Sequence, residues 1–272
     1  MRNKLKIESK KKLFAKLQGE HISPFSGSSI EFLELKEYSY LDNAKHINWK
    51  RSASSRTPLV NIYSDDRELN IVVVYLVSGS LEFKDKKHLA KEVTSTLCFS
   101  ATKFKERLTL LFFSNKEEAF FESLRENSFD ISYQSAQKLE HLGKRIDYNK
   151  LSDFLNSYLK VKSLIFLVGD FLEIPSNLEQ LSFKHELFAI IIRDKAEEQI
   201  SPIGHTILKD AISLKIKSLF ISKSGANAYN KAIKKFDREL FNKFNNIGIR
   251  YTKIYKSNEI LNSLKRLING NN

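Results

Sequence analysis

The feature that most constrains the fold is an uninterrupted apolar run at residues 71–77, IVVVYLV, rich in β-branched side chains. The run is far shorter than the roughly 18 residues that span a bilayer. A run of this length and type is typical of a β-strand buried on both faces of a sheet. A Ser-Gly-Ser turn, residues 78–80, follows it directly. The run therefore predicts an α/β domain in which other elements cover both sides of the strand.

Further apolar runs alternate with amphipathic segments along the chain. Strands are predicted at 108–113, 163–169, 187–192, 219–221 and 249–255. Helices are predicted at 86–100, at 148–159, at 229–244 with Gly248 as the stop, and at 260–268. This alternation predicts a doubly wound, mostly parallel α/β sheet with a small N-terminal extension of strands and loops. We predict a basic arm at 1–22, a segment packed on the main domain at 23–66, and the α/β domain at 67–272.

Composition bounds the class of protein. The chain has 272 residues, 42% of them hydrophobic, which is enough for a sizeable core, and its net charge is +13. Lysine is scattered along most of the chain, and only the arm between Lys4 and Lys16 is densely basic. We interpret the charge as solvation, with weak contact of the arm with an anionic membrane surface as the alternative. Specific binding of nucleic acid is not expected, because it would need the charge on one face.

Cysteine content and the N-terminal residues bear on the compartment. Cys98 is the single cysteine, so no intramolecular disulfide can form. The first residues have no apolar stretch typical of a secretory signal. We expect a cytoplasmic protein, with a peripheral position at the inner membrane as the alternative.

Polar residues follow two of the predicted strands. Ser78 and Ser80 come after the first strand, and Asp170 follows the strand at 163–169. In doubly wound sheets, ligands bind beyond the carboxyl ends of the strands, where the strand order reverses. We expect these three side chains to lie at the same edge of the sheet.

Motifs of the common enzyme classes are absent from the sequence. There is no Walker A sequence and no G-x-G-x-x-G. Ser78 is not in a nucleophile elbow, because Leu76 stands where that motif needs glycine. The stretch at His185 does not have the H-E-x-x-H spacing of zinc proteases. We expect a protein that is not an enzyme and that needs no cofactor.

The stretch at 30–80, IEFLELKEYSYLDNAKHINWK and onward, resembles the bacterial domain of unknown function 58. That family has the signature G-D-x-x-R-x-I-D-W-[KR], followed by a von Willebrand factor A-like domain. The signature positions are occupied by Asp42, Lys45, Ile47, Trp49 and Lys50, while Leu41 and Asn48 depart from it. A second stretch at 184–198 resembles H-[DE]-x6-R-D-P-x-E, with His185, Glu186, Arg193, Asp194 and Glu197 in place and Lys195 instead of proline. The resemblance spans roughly residues 23–272.

The resemblance implies a metal-ion-dependent adhesion site, which joins Asp-x-Ser-x-Ser to a threonine and a further aspartate. Here the motif positions hold Leu76, Ser78 and Ser80, and Asp170 takes the place of the last ligand. Ile146 stands at the threonine position, with Asp147 and Thr109 as alternatives. Mg²⁺ prefers a near-octahedral set of hard oxygen ligands. We expect a degenerate site in which the serines only cap the following turn, and Mg²⁺ binding is the less favoured alternative.

The resemblance also implies a partner, an AAA+ ATPase of the MoxR type. We expect a metal-independent adaptor that acts with it in the assembly or maturation of other proteins. A metal-dependent protein-binding domain and a basic nucleic-acid or anionic-surface binder are the alternatives. Candidate partner-binding residues are Asp42, Lys45, Trp49, Lys50, Glu82 and Glu173. For Trp49 the favoured interpretation is a packing anchor, and the alternative is an exposed interface residue.

Overall fold

The computed structural model describes residues 30–39, 47–55, 57–65 and 69–269. These residues belong to two compact units, one within 30–65 and the other at 69–269. The predicted basic arm at 1–22 lies outside the described residues. In the part of the chain that is described, no helix combines the length and the apolar character needed to cross a membrane.

The first unit is an antiparallel strand pair with one short helix. Strand β1 (Ile30–Glu37) pairs with β2 (Leu59–Asp65), and helix α1 (Trp49–Ser55) lies between them in sequence. The side-chain carbonyl of Asn48 accepts the Arg51 N–H at 3.1 Å, and its amide donates to Asn61 Oδ1 at 3.0 Å. Asparagine at this position is a favoured helix cap. Asn48, one of the two residues that depart from the family signature, therefore caps the start of α1.

The second unit is built on a six-stranded sheet. Its strands are β3 (Asn70–Leu76), β4 (Arg107–Phe113), β5 (Glu117–Leu124), β6 (Ser163–Gly169), β7 (Glu186–Ile192) and β10 (Arg250–Ile254). Their order is β10-β7-β6-β3-β4-β5, and every neighbouring pair is parallel except β4 and β5. The mostly parallel α/β sheet predicted from the sequence is confirmed.

Helices cover the sheet. They are α2 (Lys86–Lys103), α3 (Ser128–Lys138), α4 (Tyr148–Tyr158), α5 (Glu179–Lys184), α6 (Lys195–Glu198), α7 (Lys223–Asn246) and α8 (Ile260–Asn269). Val74 of β3 belongs to a core cluster with residues of α4, α5 and α7. Its neighbours Val73 and Tyr75 alternate to the other face of the strand, and α2 packs on β3, β4 and β6. Both faces of β3 are buried, as its sequence predicted. Helix α7 ends before Gly248, whose φ of +72° suits glycine.

The chain reverses direction across the sheet between β3 and β6. From β3 it proceeds to β4 and β5 on one side, and it then returns to β6, β7 and β10 on the other. Residues 78–80 follow β3, and Asp170 follows its neighbour β6, with Tyr75 of β3 in register with Val168 of β6. The prediction that these residues lie at one edge of the sheet is confirmed, and the structure adds that the strand order reverses there. We call this edge the switch-point edge.

A separate hairpin departs from the predicted arrangement. Strands β8 (Gly204–Lys209) and β9 (Ile216–Ile221) pair antiparallel in a two-stranded sheet. The strand predicted at 219–221 therefore exists, but it does not join the main sheet. The edge strand β5 and helix α3 were not predicted, because their sequences mix charged and apolar residues without a clear period.

Candidate functional site

Ser78 and Ser80 shape the turn after β3. Ser78 is buried, and its hydroxyl lies 2.6 Å from that of Ser80. The Ser80 N–H donates to Ser78 Oγ at 3.4 Å, at the start of a single 3₁₀ turn over Gly79–Glu82. The serines thus cap the turn and bond to each other, in agreement with the capping interpretation.

Asp170 bonds to a different partner, a lysine that the sequence analysis did not single out. Lys86 opens helix α2, and its side chain is 1% exposed. Its ammonium lies 3.4 Å from Asp170 Oδ2 and 2.6 Å from Glu197 Oε1. A lysine in the first helical turn opposes the helix dipole, and a buried ammonium loses its hydration. The two carboxylates offset both costs. Lys86, Asp170 and Glu197 therefore form a buried, ion-paired triad at the switch-point edge.

The triad decides whether a divalent cation fits here. Mg²⁺ would need carboxylate oxygens at this edge, but the Lys86 ammonium already bonds to both Asp170 and Glu197 and balances one of their two negative charges. Burial raises the pKa of Glu197, and the Lys86 ammonium opposes that rise. Among residues 69–269 and the described parts of 30–65, no three His, Cys, Asp or Glu side chains are grouped to hold a metal ion. The residues present do not fit the metal that the family resemblance implies.

Leu76 fills the position where the adhesion-site motif has aspartate. Its side chain is 1% exposed and belongs to the core cluster of the sheet. It leans over the neighbouring strand end, because a Cβ built on Gly169 would lie 2.8 Å from Leu76 Cβ and Cδ1. Gly169 therefore makes room for a leucine, and apolar packing replaces ligand chemistry at this point.

The three candidates for the threonine ligand have other roles. Ile146 packs against the core cluster. The Asp147 side chain accepts the Lys150 N–H and caps α4. Thr109 pairs with Val72 near the amino end of β4, so it lies towards the end of the strands opposite the turn at 78–80. None of the three supplies an oxygen ligand beside Ser78.

Gly79, in the same turn, allows the hairpin to approach. A Cβ built on Gly79 would lie 2.2 Å from the Ala211 carbonyl oxygen and 3.3 Å from that of His141. The Ala211 carbonyl also accepts the Gly143 N–H at 2.9 Å. The loop that joins β8 to β9 therefore rests directly on the turn of the switch-point edge.

His141 completes the buried layer beneath that loop. Its ring nitrogens lie 3.0 Å from the Leu139 carbonyl oxygen and 3.0 Å from the Tyr75 hydroxyl. A carbonyl can only accept, so Nδ1 carries the proton and Nε2 accepts from Tyr75. Burial lowers the pKa of His141 to about 4. The imidazole is therefore a neutral structural link between β3 and the following loops.

The stretch after β7, which resembles the second family signature, extends the charge network. Arg193, 1% exposed, donates from Nη2 to the Phe171 carbonyl at 3.2 Å and pairs with Asp237 Oδ1 at 3.3 Å. Asp194 caps α6 in a capping box with Glu197 and pairs with Lys84 at 3.1 Å. Burial favours the neutral Asp194 carboxyl, but the Ala196 N–H and Lys84 outweigh it and lower its pKa. Asp194 therefore caps a helix and forms a salt bridge.

The described candidate partner-binding residues belong to both units, Trp49 and Lys50 to the first and Glu82 and Glu173 to the second. Trp49 is 71% exposed and Lys50 is exposed, so the favoured packing interpretation of Trp49 is wrong. Glu82 is half-buried and pairs with Lys87 at 2.6 Å, and Glu173 pairs with Arg145 at 2.7 Å. Both glutamates are therefore partly buried and held in ion pairs.

Two of those candidates, Asp42 and Lys45, lie outside the described residues. Lys86, by contrast, was missed because a lysine at a helix start usually faces solvent. A sequence signal for Lys86 is its position shortly after the turn at 79–82, at the same edge of the sheet as the strand end that carries Asp170.

The chain is similar to proteins whose names give no activity. The uncharacterised protein Rv1480 of Mycobacterium tuberculosis (strain H37Rv) and Mb1516 of Mycobacterium bovis are each 25% identical over 220 residues, covering 77% of this chain and 69% of theirs. Among solved structures, BatB from Bacteroides thetaiotaomicron matches 74% of this chain and 98% of its own at 12% identity and a TM-score of 0.44. Proximal thread matrix protein 1 of the mussel byssus, with a zinc-occupied MIDAS motif, matches 75% and 48% at 13% identity and a TM-score of 0.39.

The family resemblance seen in the sequence is tested directly by the family model. The model described as "Protein of unknown function DUF58" matches residues 34–237. The match includes the second half of β1, the turn after β3 and the Arg193-Asp194 stretch. It is narrower than the resemblance read from the sequence, but it covers well over half of the chain. The chain belongs to the DUF58 family of proteins of unknown function.

Proposed function

We propose that this protein is a non-catalytic, metal-independent interaction domain that acts with an AAA+ ATPase of the MoxR type in the assembly or maturation of other proteins. Membership of the family supports a role in protein interaction. The ATPase partner comes from the resemblance of the sequence, and metal independence comes from the switch-point edge.

The observation that carries the proposal is the buried position of Lys86. In an adhesion site of this kind, a bound cation links the domain to an acidic group of its ligand. Here a covalently attached ammonium lies between Asp170 and Glu197. The cation is thus part of the chain, so the edge keeps one charge state whatever the supply of divalent ions.

Exposed groups beside the triad form the docking surface that we propose. Phe83 is 41% exposed, and Ile174, in the loop after β6, is 38% exposed. A cleft of about 250 Å³ adjoins Phe83, because the ammonium of its lining residue Lys86 lies 5.8 Å from the centroid of the Phe83 ring. Its lining carries charges of both signs, namely those of Lys86, Arg193, Lys256, Asp85 and Asp194. An apolar group beside a charged cleft suits a partner segment that combines an apolar anchor with a charged side chain.

A pull-down tests this surface. The tagged full-length chain, incubated with lysate of its source cells and Mg-ATP, is expected to retain an AAA+ ATPase that mass spectrometry identifies. Phe83→Ser should reduce its recovery several-fold, because Phe83 lies on the proposed surface. Phe183→Ser is the matched control, because Phe183 is 92% exposed and lies on α5, which precedes β7 and so sits at the opposite edge.

Two results would overturn the proposal. One is recovery of no AAA+ ATPase by the wild-type chain. The other is an equal loss of ATPase recovery for Phe83→Ser and Phe183→Ser.

A charge swap tests the role of Glu173. Glu173→Lys combined with Arg145→Glu retains the ion pair, so it separates a direct contact of Glu173 with the ATPase from support of the surface through that pair.

A further inference from the structure

The hairpin of β8 and β9 carries apolar side chains where a water-soluble surface would carry polar ones. Residues opposite each other in an antiparallel pair share a face. His205 is opposite Phe220, Ile207 is opposite Ser218, and Lys209 is opposite Ile216. On this face Ile207 is 73%, Ile216 68% and Phe220 64% exposed. It is an apolar surface that no described residue covers.

The other face of the hairpin is open as well. Leu208 and Leu219 alternate with the residues above and are 45% and 44% exposed. Ile203, directly before β8, is 60% exposed. Apolar side chains therefore leave both sides of the same two strands. A groove on a folded partner would cover one side, whereas a lipid interface covers both sides of an element that enters it.

The charge around these side chains has one sign. Lys209, Lys215, Lys217 and Lys223 are all exposed, and Asp210 is the sole acidic residue between positions 200 and 236. The Asp210 carboxylate is already engaged, because it accepts the Ile212 N–H at 3.0 Å and the Ser213 N–H. Exposed apolar groups flanked by lysines match the anionic headgroups and acyl boundary of a bilayer. The same positive charge would repel a second copy of the hairpin.

We propose that the β8–β9 hairpin binds the surface of an anionic lipid bilayer. The hairpin is suited to this by its anchoring: the Asp210 N–H closes the loop onto the Lys215 carbonyl at 2.9 Å, and Ala211 rests on the turn at Gly79. Its apolar face is thus held by the body of the domain. Binding would place the switch-point edge next to the membrane, independently of which protein docks there.

The test uses the full-length protein and two kinds of vesicle. Vesicles of equal parts phosphatidylglycerol and phosphatidylcholine are expected to sediment the wild-type chain, and vesicles of phosphatidylcholine alone to sediment far less. Ile207→Ser with Phe220→Ser should weaken binding by about tenfold or more, because two large apolar groups no longer leave water. Lys209→Gln with Lys217→Gln should weaken binding to anionic vesicles and reduce its salt dependence. Phe183→Ser should bind as the wild type does.

A second readout separates the hairpin from the basic arm. In Trp49→Phe combined with Phe220→Trp, the single tryptophan reports the position of the hairpin. Its emission is expected to shift to shorter wavelength with anionic vesicles and to be quenched by brominated acyl chains. Absence of vesicle binding, absence of quenching, or unchanged binding of the Ile207→Ser, Phe220→Ser variant would each overturn the proposal. An AAA+ ATPase retained by a chain that binds no vesicle would leave the proposed function standing and remove this inference alone.

Discussion

The switch-point edge and the β8–β9 hairpin are in contact, yet they depart from the usual placement of side chains in opposite ways. The edge buries charged groups, and the hairpin exposes apolar groups. At the edge, Lys86 and two carboxylates are buried and bonded to one another. On the hairpin, Ile207 and Phe220 face solvent without cover. A buried charge costs stability unless it is paired, whereas an exposed apolar group costs the fold little. The difference indicates that the buried triad orders the edge from within, whereas the hairpin presents apolar groups to another surface.

The largest effect is expected for the removal of the Lys86 charge. Lys86→Met would leave Asp170 and Glu197 buried without a cation, and we expect a loss of about 3–5 kcal/mol in the free energy of unfolding. Urea denaturation at pH 7 measures this loss. The control is Lys86→Met with Glu197→Gln, which removes one of the stranded charges and should recover part of the stability. A loss below about 1 kcal/mol for Lys86→Met would show that the triad is not a stabilising feature.

A methyl group at Gly79 tests the contact that joins the two regions. Gly79→Ala would place a Cβ against the Ala211 carbonyl, which is backbone and cannot rotate away. We expect a loss of up to about 3 kcal/mol, as for other overpacked sites. Gly225→Ala is the matched control, because its Cβ would meet only Ser222 Oγ at 3.4 Å within helix α7. Equal stability of the two variants would mean that the loop does not rest on the turn.

The neutral His141 makes the stability of this edge depend on pH. Its pKa is about 4 in the folded chain and about 6.5 when unfolded, so below pH 6.5 the unfolded state binds more protons. The His141 contribution is therefore fully present above pH 6.5 and is lost as the pH falls towards 4. We expect about 2 kcal/mol of this loss by pH 5 relative to pH 7. Denaturation of the wild type and of His141→Gln at pH 7 and at pH 5 isolates this contribution. An equal change in the free energy of unfolding between the two pH values in both proteins would contradict it.

The smallest effect is expected on the hairpin. Ile207→Ser with Phe220→Ser should change the free energy of unfolding by less than about 0.5 kcal/mol, because both side chains are already in water. Leu76→Ala, at the buried end of β3, should cost about 2–5 kcal/mol in the same assay. A large loss for the hairpin variant would mean that these apolar groups support the fold, and the contrast between the two regions would fail.

Sequence patterns predicted the sheet and the place of the site better than its chemistry. The runs in β3, β4, β6 and β7 are almost entirely apolar after the first residue, so burial on both faces leaves a clear signal. The strand ends then placed Ser78, Ser80 and Asp170 at one edge. The role of Lys86 depends on carboxylates that lie 84 and 111 positions away, and a spacing of that kind has no local pattern.

The hairpin and Trp49 show the opposite difficulty. The predictions for residues 219–221 and for Trp49 both followed the general tendency of large apolar residues to be buried. Residues 219–221 form a strand, as predicted, but outside the main sheet, and Trp49 is exposed at the start of α1. Exposed apolar residues of this kind cannot be told from core residues without the register and partners of the strand.

The response of thermal stability to divalent ions shows whether Lys86 takes the place of a bound cation. The melting temperature of the wild-type chain is measured in chelator and during titration with Mg²⁺ and with Mn²⁺. We expect no saturable rise in the melting temperature, because Lys86 already pairs with the carboxylates of Asp170 and Glu197. A saturable rise with either ion that disappears in Asp170→Asn would contradict it.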